Sequence, residues 1–217
     1  MTGLRHGLAH VTPNVPVELI SWHGDAQEAV MQATASWLEQ RLPCVVTRQS
    51  GVPANQVQLG VSVIVAMPKS AQIQRAAFRV PTPCIEAVEP LPPLSQFTSL
   101  LGNAMSSISF GDSCGVYGSF LFQYVSGYTY THAQSDVDVL LAYRDDSMLN
   151  LRQAMHALQQ ATSRMIDGEV RFDSCGDIAF AELFNEGFSE VLVKTKTEPY
   201  LLSREALYAR FPSLQKA

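Results

Sequence analysis

The chain has 217 residues, 47% of them hydrophobic and 16% charged. That is enough for one large domain or two small ones, each with an apolar core, and too apolar for a disordered tail. A formal charge of −5 argues against a protein that gains its affinity by neutralising many nucleic-acid phosphates.

The charge is uneven. Residues 1–110 carry six basic and six acidic side chains, whereas residues 111–217 carry nine basic and fourteen acidic, so the second half holds the excess of carboxylates. Met1 to His6 lead into no continuous apolar run of the roughly 7–15 residues a signal peptide needs. Residues 113–135 contain no Asp, Glu, Lys or Arg, but polar residues interrupt them too often for a membrane span of about 20 apolar residues. A cytoplasmic location with no membrane segment is expected. Cys44, Cys84, Cys114 and Cys175 are scattered, with no Cys-x-x-Cys pair; they read as buried free thiols rather than a zinc site or a disulfide scaffold.

In chain order, Asp25 to Arg41 reads as a helix, with Ala26, Ala29, Val30, Ala33 and Trp37 on one stripe and Asp25 with Glu28 as a capping box. Gly51, Pro53 and Asn55 mark a turn, after which Val57, Leu59, Val61, Val63 and Val65 alternate as in a mostly buried strand. Trp22 and Trp37 are expected to pack this half's core. Pro81, Pro83, Pro90, Pro92 and Pro93 crowd the next stretch, a composition that stops helices and central strands. It suggests an α+β amino-terminal domain over residues 1–80, a linker over 81–93 and a second α+β domain over 94–217.

In that second domain Leu94 to Met105 reads as a helix, Cys114 to Gly118 as a short strand and residues 119–126 as a helix stopped by Gly127. Val137 to Tyr143 is an apolar run of strand length. Leu151, Ala154, Met155, Leu158, Ala161, Thr162 and Met165 recur at helical spacing. Strand-like pieces follow at Ile166–Phe172, Ile178–Ala181 and Glu190–Lys194.

Two features carry chemistry. Asp136 and Asp138 stand two apart beside the valines of an apolar strand, so both carboxylates project to one face. Adjacent carboxylates repel, and Mg²⁺, which takes oxygen ligands and can clamp a transferring phosphoryl group, relieves that repulsion. Gly118-Ser119 lies where a strand enters a helix, a place whose free N–H groups favour a phosphate; Ser119 suits an N-cap equally well.

In this order and spacing the residues resemble the DNA polymerase β-like nucleotidyltransferases, a fold with a mixed sheet. Tyr117-Gly118-Ser119-Phe120, Gly127-Tyr128 with Tyr130, Ser135 to Leu141, Asp167-Gly168-Glu169 and Glu190 to Thr195 are similar to one branch, the phosphoribosyl-dephospho-CoA transferase family of malonate decarboxylase. The Leu59-Gly60 strand, Lys69 and Gln74-Arg75-Ala76 extend the resemblance weakly into the first half. It implies transfer from 2′-(5″-triphosphoribosyl)-3′-dephospho-CoA to a serine of the acyl-carrier subunit of malonate decarboxylase, releasing pyrophosphate. Asp136 and Asp138 would hold Mg²⁺, Gly118 and Ser119 the departing pyrophosphate. Such enzymes generally use a third carboxylate, for which Asp167, Glu169 and Glu182 are candidates. Glu169 is favoured because Val170 follows it in the regular part of the run, while Gly168 suggests a turn at Asp167. Lys194 is expected to neutralise a phosphate.

Rival readings remain. Gly111-Asp112-Ser113-Cys114-Gly115 fits the Gly-x-Ser-x-Gly elbow of serine hydrolases, which needs a strand before the serine and a helix after it; only His132 and His156 lie downstream. Another nucleotidyltransferase using a nucleoside triphosphate, or an inactive binding domain of the same fold, are the closer alternatives. Arg48, Lys69, Arg75 and Arg79 would contact donor phosphates or an acidic carrier, or be simply solvated.

Overall fold

In the computed structural model, which describes residues 5–22, 26–66, 71–102 and 113–216, the chain divides into two units, Met1–Leu91 and Pro92–Ala217. In the first unit the described strands are β1 (Leu8–Val11), β2 (Glu18–Trp22), β3 (Cys44–Val46), β4 (Gln56–Ala66), β5 (Ala71–Pro81) and β6 (Ile85–Glu89). They form one sheet in the order β2-β5-β4-β3-β1-β6, every neighbouring pair antiparallel. Helix α1 (Gln27–Glu39) packs on β4.

The alternation read over 57–65 is the inward face of β4: Val57, Leu59, Val61, Val63 and Val65 are all buried. Trp37 joins this core and its indole N–H donates to the Pro43 carbonyl at 3.1 Å, while Trp22 sits in β2 opposite Ala76. The capping-box residue Asp25 lies outside the described residues; the N-cap is Ala26, with no side-chain bond.

The linker expected over 81–93 needs correction. Pro81 ends β5 and Ile85–Glu89 is a strand that pairs with β1 from Leu8↔Glu89 to Val11↔Ile85. The prolines bracket this five-residue strand instead of dissolving it, because β6 lies at the sheet's edge, where a missing N–H breaks no ladder.

In the second unit, β7 (Cys114–Tyr117), β8 (Val137–Ala142), β9 (Ile166–Phe172), β10 (Gly176–Ala179), β11 (Glu190–Lys194) and β12 (Tyr200–Ser203) form a mixed sheet in the order β12-β11-β10-β9-β8-β7. Only the β8–β9 pairing is parallel. Helices α2 (Thr98–Leu101), α3 (Gly118–Ser126), α4 (Met148–Thr162), α5 (Phe180–Phe184) and α6 (Arg204–Arg210) complete it. This is the mixed-sheet α+β architecture expected.

The helix read from Leu94 begins as a 3-10 turn, Leu94–Phe97, followed by short α2; residues 103–112 lie outside the description. Helix α4 makes the crossover that the parallel β8–β9 pair requires, and its stripe Leu151, Met155 and Leu158 packs into a core with Val116, Phe120, Val137, Val139, Val170, Phe172, Ile178 and Val193. Period-two alternation then turns Asp138, Asp167, Glu169, Arg171, Asp177 and Lys194 to the opposite, charged face.

Candidate active site

Helix α3 starts at Gly118, directly after β7, and its first-turn N–H groups have no carbonyl partner within the helix. Gly118 has φ +67°, and a side chain there would collide with the Asp138 carboxylate: a Cβ would stand 2.8 Å from Cγ of Asp138 and closer still to its Oδ2. The glycine is therefore the space into which Asp138 projects, placed by the Tyr117↔Asp138 pairing of β7 with β8. Ser119, half-buried, is the second residue of α3 rather than its cap; the cap is Tyr117, with no side-chain bond.

On the other side, parallel pairing sets Asp138 against Asp167 of β9. Asp136, exposed, lies one residue before β8. One carboxylate oxygen from each of Asp136, Asp138 and Asp167 lies within 4.8 Å of the others. At that separation in water each pair of like charges costs about 1 kcal/mol, a modest repulsion that a divalent cation reverses. An oxygen-only, partly exposed set of this size suits Mg²⁺, which keeps several waters and shares its shell with substrate phosphates.

The third carboxylate of the cluster is thus Asp167, and the preference for Glu169 is corrected by position. Glu169 is 4% exposed and its Oε1 accepts from Lys194 Nζ at 2.8 Å. Lys194, expected on a phosphate, is committed to that pair across the intervening strand β10. Glu182 is likewise engaged, its Oε2 accepting from the Leu192 amide at 2.6 Å. Gly168 does not make a turn. Its φ of +148° lets β9 lie where a Cβ would strike the Val139 carbonyl, so the strand continues and Asp167 stays in it. The Asp167 Oδ1 accepts from the Gly168 amide at 2.7 Å, which fixes the carboxylate's orientation.

Two residues not singled out in the sequence order the loop between α3 and β8. Gln123 Oε1 accepts from the amides of Tyr130 and Thr131 at 3.0 Å each and from the Thr131 hydroxyl at 2.8 Å. Burial, and to a smaller degree the neighbouring Tyr128, pushes the Tyr130 phenol up to about 12. Arg164 Nη1 donates to the carbonyls of His132 at 2.9 Å, Ala133 at 3.2 Å and Ser135 at 2.9 Å. Arg164 has no local sequence signal, because it joins segments about thirty residues apart; Gln123 reaches only into the loop that follows its own helix, where nothing in the residue pattern marks it.

The serine-hydrolase elbow lacks its context. Gly111 and Asp112 lie outside the described residues, a strand, β7, follows Ser113 where a helix is needed, and His156 is exposed on α4. In the first unit Arg48 and Arg75 are exposed, Arg79 Nε donates to Gln58 at 3.3 Å, and Lys69 lies outside the description.

Residues 84–205 match the model of the phosphoribosyl-dephospho-CoA transferase MdcG C-terminal domain, and residues 4–90 that of the MdcG N-terminal domain. The chain belongs to this family. A protein of Xanthomonas campestris pv. campestris (strain 8004) named phosphoribosyl-dephospho-CoA transferase is 30% identical over 94% of this chain and 96% of its own length. One of the same name from Xanthomonas axonopodis pv. citri (strain 306) is 30% identical with the same coverage, and one from Bradyrhizobium diazoefficiens is 27% identical over 92% of this chain and 90% of its own length. No solved structure matches the chain. Among the described residues no helix is long and apolar enough to cross a membrane.

Proposed function

We propose that this member of the MdcG family transfers the phosphoribosyl-dephospho-CoA moiety of 2′-(5″-triphosphoribosyl)-3′-dephospho-CoA to a serine hydroxyl on the acyl-carrier subunit of malonate decarboxylase, by nucleotidyltransferase chemistry of the polymerase β-like kind. The observation that carries it is the convergence of Asp136, Asp138 and Asp167 beside the glycine that opens α3.

Asp136 and Asp138, with Asp167 beside them, are the residues that would hold Mg²⁺. When bound, the ion supplies charge neutralisation at the α-phosphate and a lowered pKa for the incoming hydroxyl. The chain's own groups do the rest. Asp167 Oδ2, the oxygen not fixed by the Gly168 amide, takes the serine proton as the serine oxygen bonds to the α-phosphorus. The bond from that phosphorus to pyrophosphate breaks, and the N–H groups of the first turn of α3, with the Ser119 hydroxyl, receive the departing anion. Lys194 has no direct part, since its ammonium is paired with Glu169.

The test incubates the protein with the purified carrier subunit, the triphosphoribosyl donor and Mg²⁺, and weighs the carrier by mass spectrometry. A gain equal to the prosthetic group, lost with Asp136→Asn and Asp138→Asn, is the expected result. Labelling of an acceptor by a nucleoside triphosphate, with none from the CoA precursor, would replace the donor; no transfer under any condition would indicate a binding domain.

A further inference from the structure

We infer that Arg164 is a positioning residue that sets Asp136 against Asp167; the inference rests on the reading of the three aspartates as a cation site. Asp136 lies outside the ladder of β8, so strand pairing alone does not place its carboxylate. The structure places it by two ties from a single short segment. Before Asp136, the Ser135 carbonyl accepts from Arg164 Nη1 at 2.9 Å; after it, the Val137 amide donates to the Met165 carbonyl at 2.9 Å. Two residues later that segment reaches Asp167, so the chain that carries one carboxylate grips its partner's backbone on both sides.

The grip is built from fixed parts. Helix α4 ends at Ser163 with φ +53°, which turns the chain out of the helix and leaves the Arg164 amide donating to the Thr162 hydroxyl at 3.2 Å. The turn that Arg164 holds is closed on itself, the His132 amide donating to Ser135 Oγ at 2.9 Å and the Ser135 amide to the His132 carbonyl at 3.0 Å. Ser135 is buried. The guanidinium lies over the ring of Phe120, 5.2 Å from its centre, and Phe120 follows Gly118-Ser119 in α3. One planar side chain therefore joins the helix start, the Asp136 loop and the Asp167 strand. A lysine keeps the charge but loses the planar guanidinium, which lies over the ring while its Nη1 reaches the three carbonyls.

The test uses the full chain as wild type, Arg164→Lys, Arg164→Gln and Asp136→Asn. Mn²⁺ binding is followed by electron paramagnetic resonance with pyrophosphate present, the Val137 amide by hydrogen exchange, and transfer by titration with Mg²⁺. Loss of the clamp leaves all three carboxylates in place but loosely set. R164Q is expected to bind Mn²⁺ about tenfold more weakly, to exchange faster at Val137, and to recover part of its transfer at high Mg²⁺; R164K falls between it and wild type. Losing an outer partner that orients a metal ligand typically costs about 10–100-fold in metal affinity. D136N loses Mn²⁺ without rescue. Should R164Q not fold, the same shift in R164K decides. Wild-type Mn²⁺ affinity and Mg²⁺ midpoint in the Arg164 variants, while D136N loses the ion, would overturn the positioning role alone. Absence of Mn²⁺ binding in wild type, with D136N fully active, would overturn the aspartate reading and this inference with it.

Discussion

Gly118→Ala is the sharpest perturbation of the site. At φ +67° an L-residue pays about 1–2 kcal/mol of backbone strain, which lowers the melting temperature of a domain of this size by roughly 3–10 °C. A second effect is local: the new methyl would stand 2.8 Å from Cγ and 3.2 Å from Cβ of Asp138, with Oδ2 nearer still, so the carboxylate must rotate away from Asp136 and Asp167. Displacing one of three ligands by about 1 Å is expected to cost on the order of 10²-fold in transfer. Gly127→Ala is the matched control. Gly127 has φ +73° at the other end of the same helix, and a Cβ there meets nothing within 4 Å. It should lose comparable stability while keeping transfer. Differential scanning fluorimetry and the carrier mass assay separate the two effects. Equal transfer by both variants would refute the claim that Gly118 is the space Asp138 occupies.

Asp167→Asn should abolish Mn²⁺ binding and transfer, whereas Glu169→Gln should retain Mn²⁺ binding and lose roughly 1–3 kcal/mol of stability by weakening its pair with the partly exposed Lys194; metal titration and chemical denaturation of the two variants decide between the carboxylates. Arg204, 8% exposed, donates to the carbonyls of Glu182, Leu183, Asn185 and Phe188, so Arg204→Met should cost about 3 kcal/mol or more by stranding several acceptors, read as a fall in the urea midpoint. Burial pushes the Cys114 thiol up from 9.0 to about 12, and burial likewise raises Cys44 despite its bond with Trp37. Both should resist alkylation at pH 8 until the protein unfolds, while the half-buried Cys84 reacts. Between pH 9 and 12 the native state keeps a proton on Cys114 that the unfolded chain has released, so stability falls as pH rises, by about 1.4 kcal/mol per unit at that thiol. A flat denaturation midpoint over that window would refute it.

Much of the site was legible because period-two alternation reports which face a residue shares. Val137, Val139 and Leu141 mark the buried side of β8 and so assign Asp138 to the other. The alternation cannot report which strand lies beside β8. The choice among Asp167, Glu169 and Glu182 depends on the parallel register of β8 with β9, a contact across the length of α4, and Gly168 suggests a turn in the sequence because only the neighbouring Val139 carbonyl shows why a glycine is needed inside a strand. In the first unit β5 escaped the reading. Its inward residues run Gln74, Ala76, Phe78, Val80, and a buried glutamine and a small alanine blur the hydrophobic signal. β6 is hidden for the opposite reason, since prolines at both of its ends signal a break while the strand lies between them.

The register of β9 is the quantity on which the chemistry turns. Slipping it by one residue against β8 would bring Gly168 opposite Asp138 and turn Asp167 toward the apolar core, leaving a two-carboxylate site and a buried charge. Backbone pairing alone resists such a slip weakly over a seven-residue strand. Three interactions make it costly: Val170 and Phe172 are fully buried in the core, Glu169 and Arg171 hold ion pairs with Lys194 and Asp177, and Arg164 hooks the strand's entry to the Asp136 loop. A slip breaks all of them together. The ion pairs on the charged face therefore act on the three-aspartate cluster at a distance, through the register of the strand that carries Asp167.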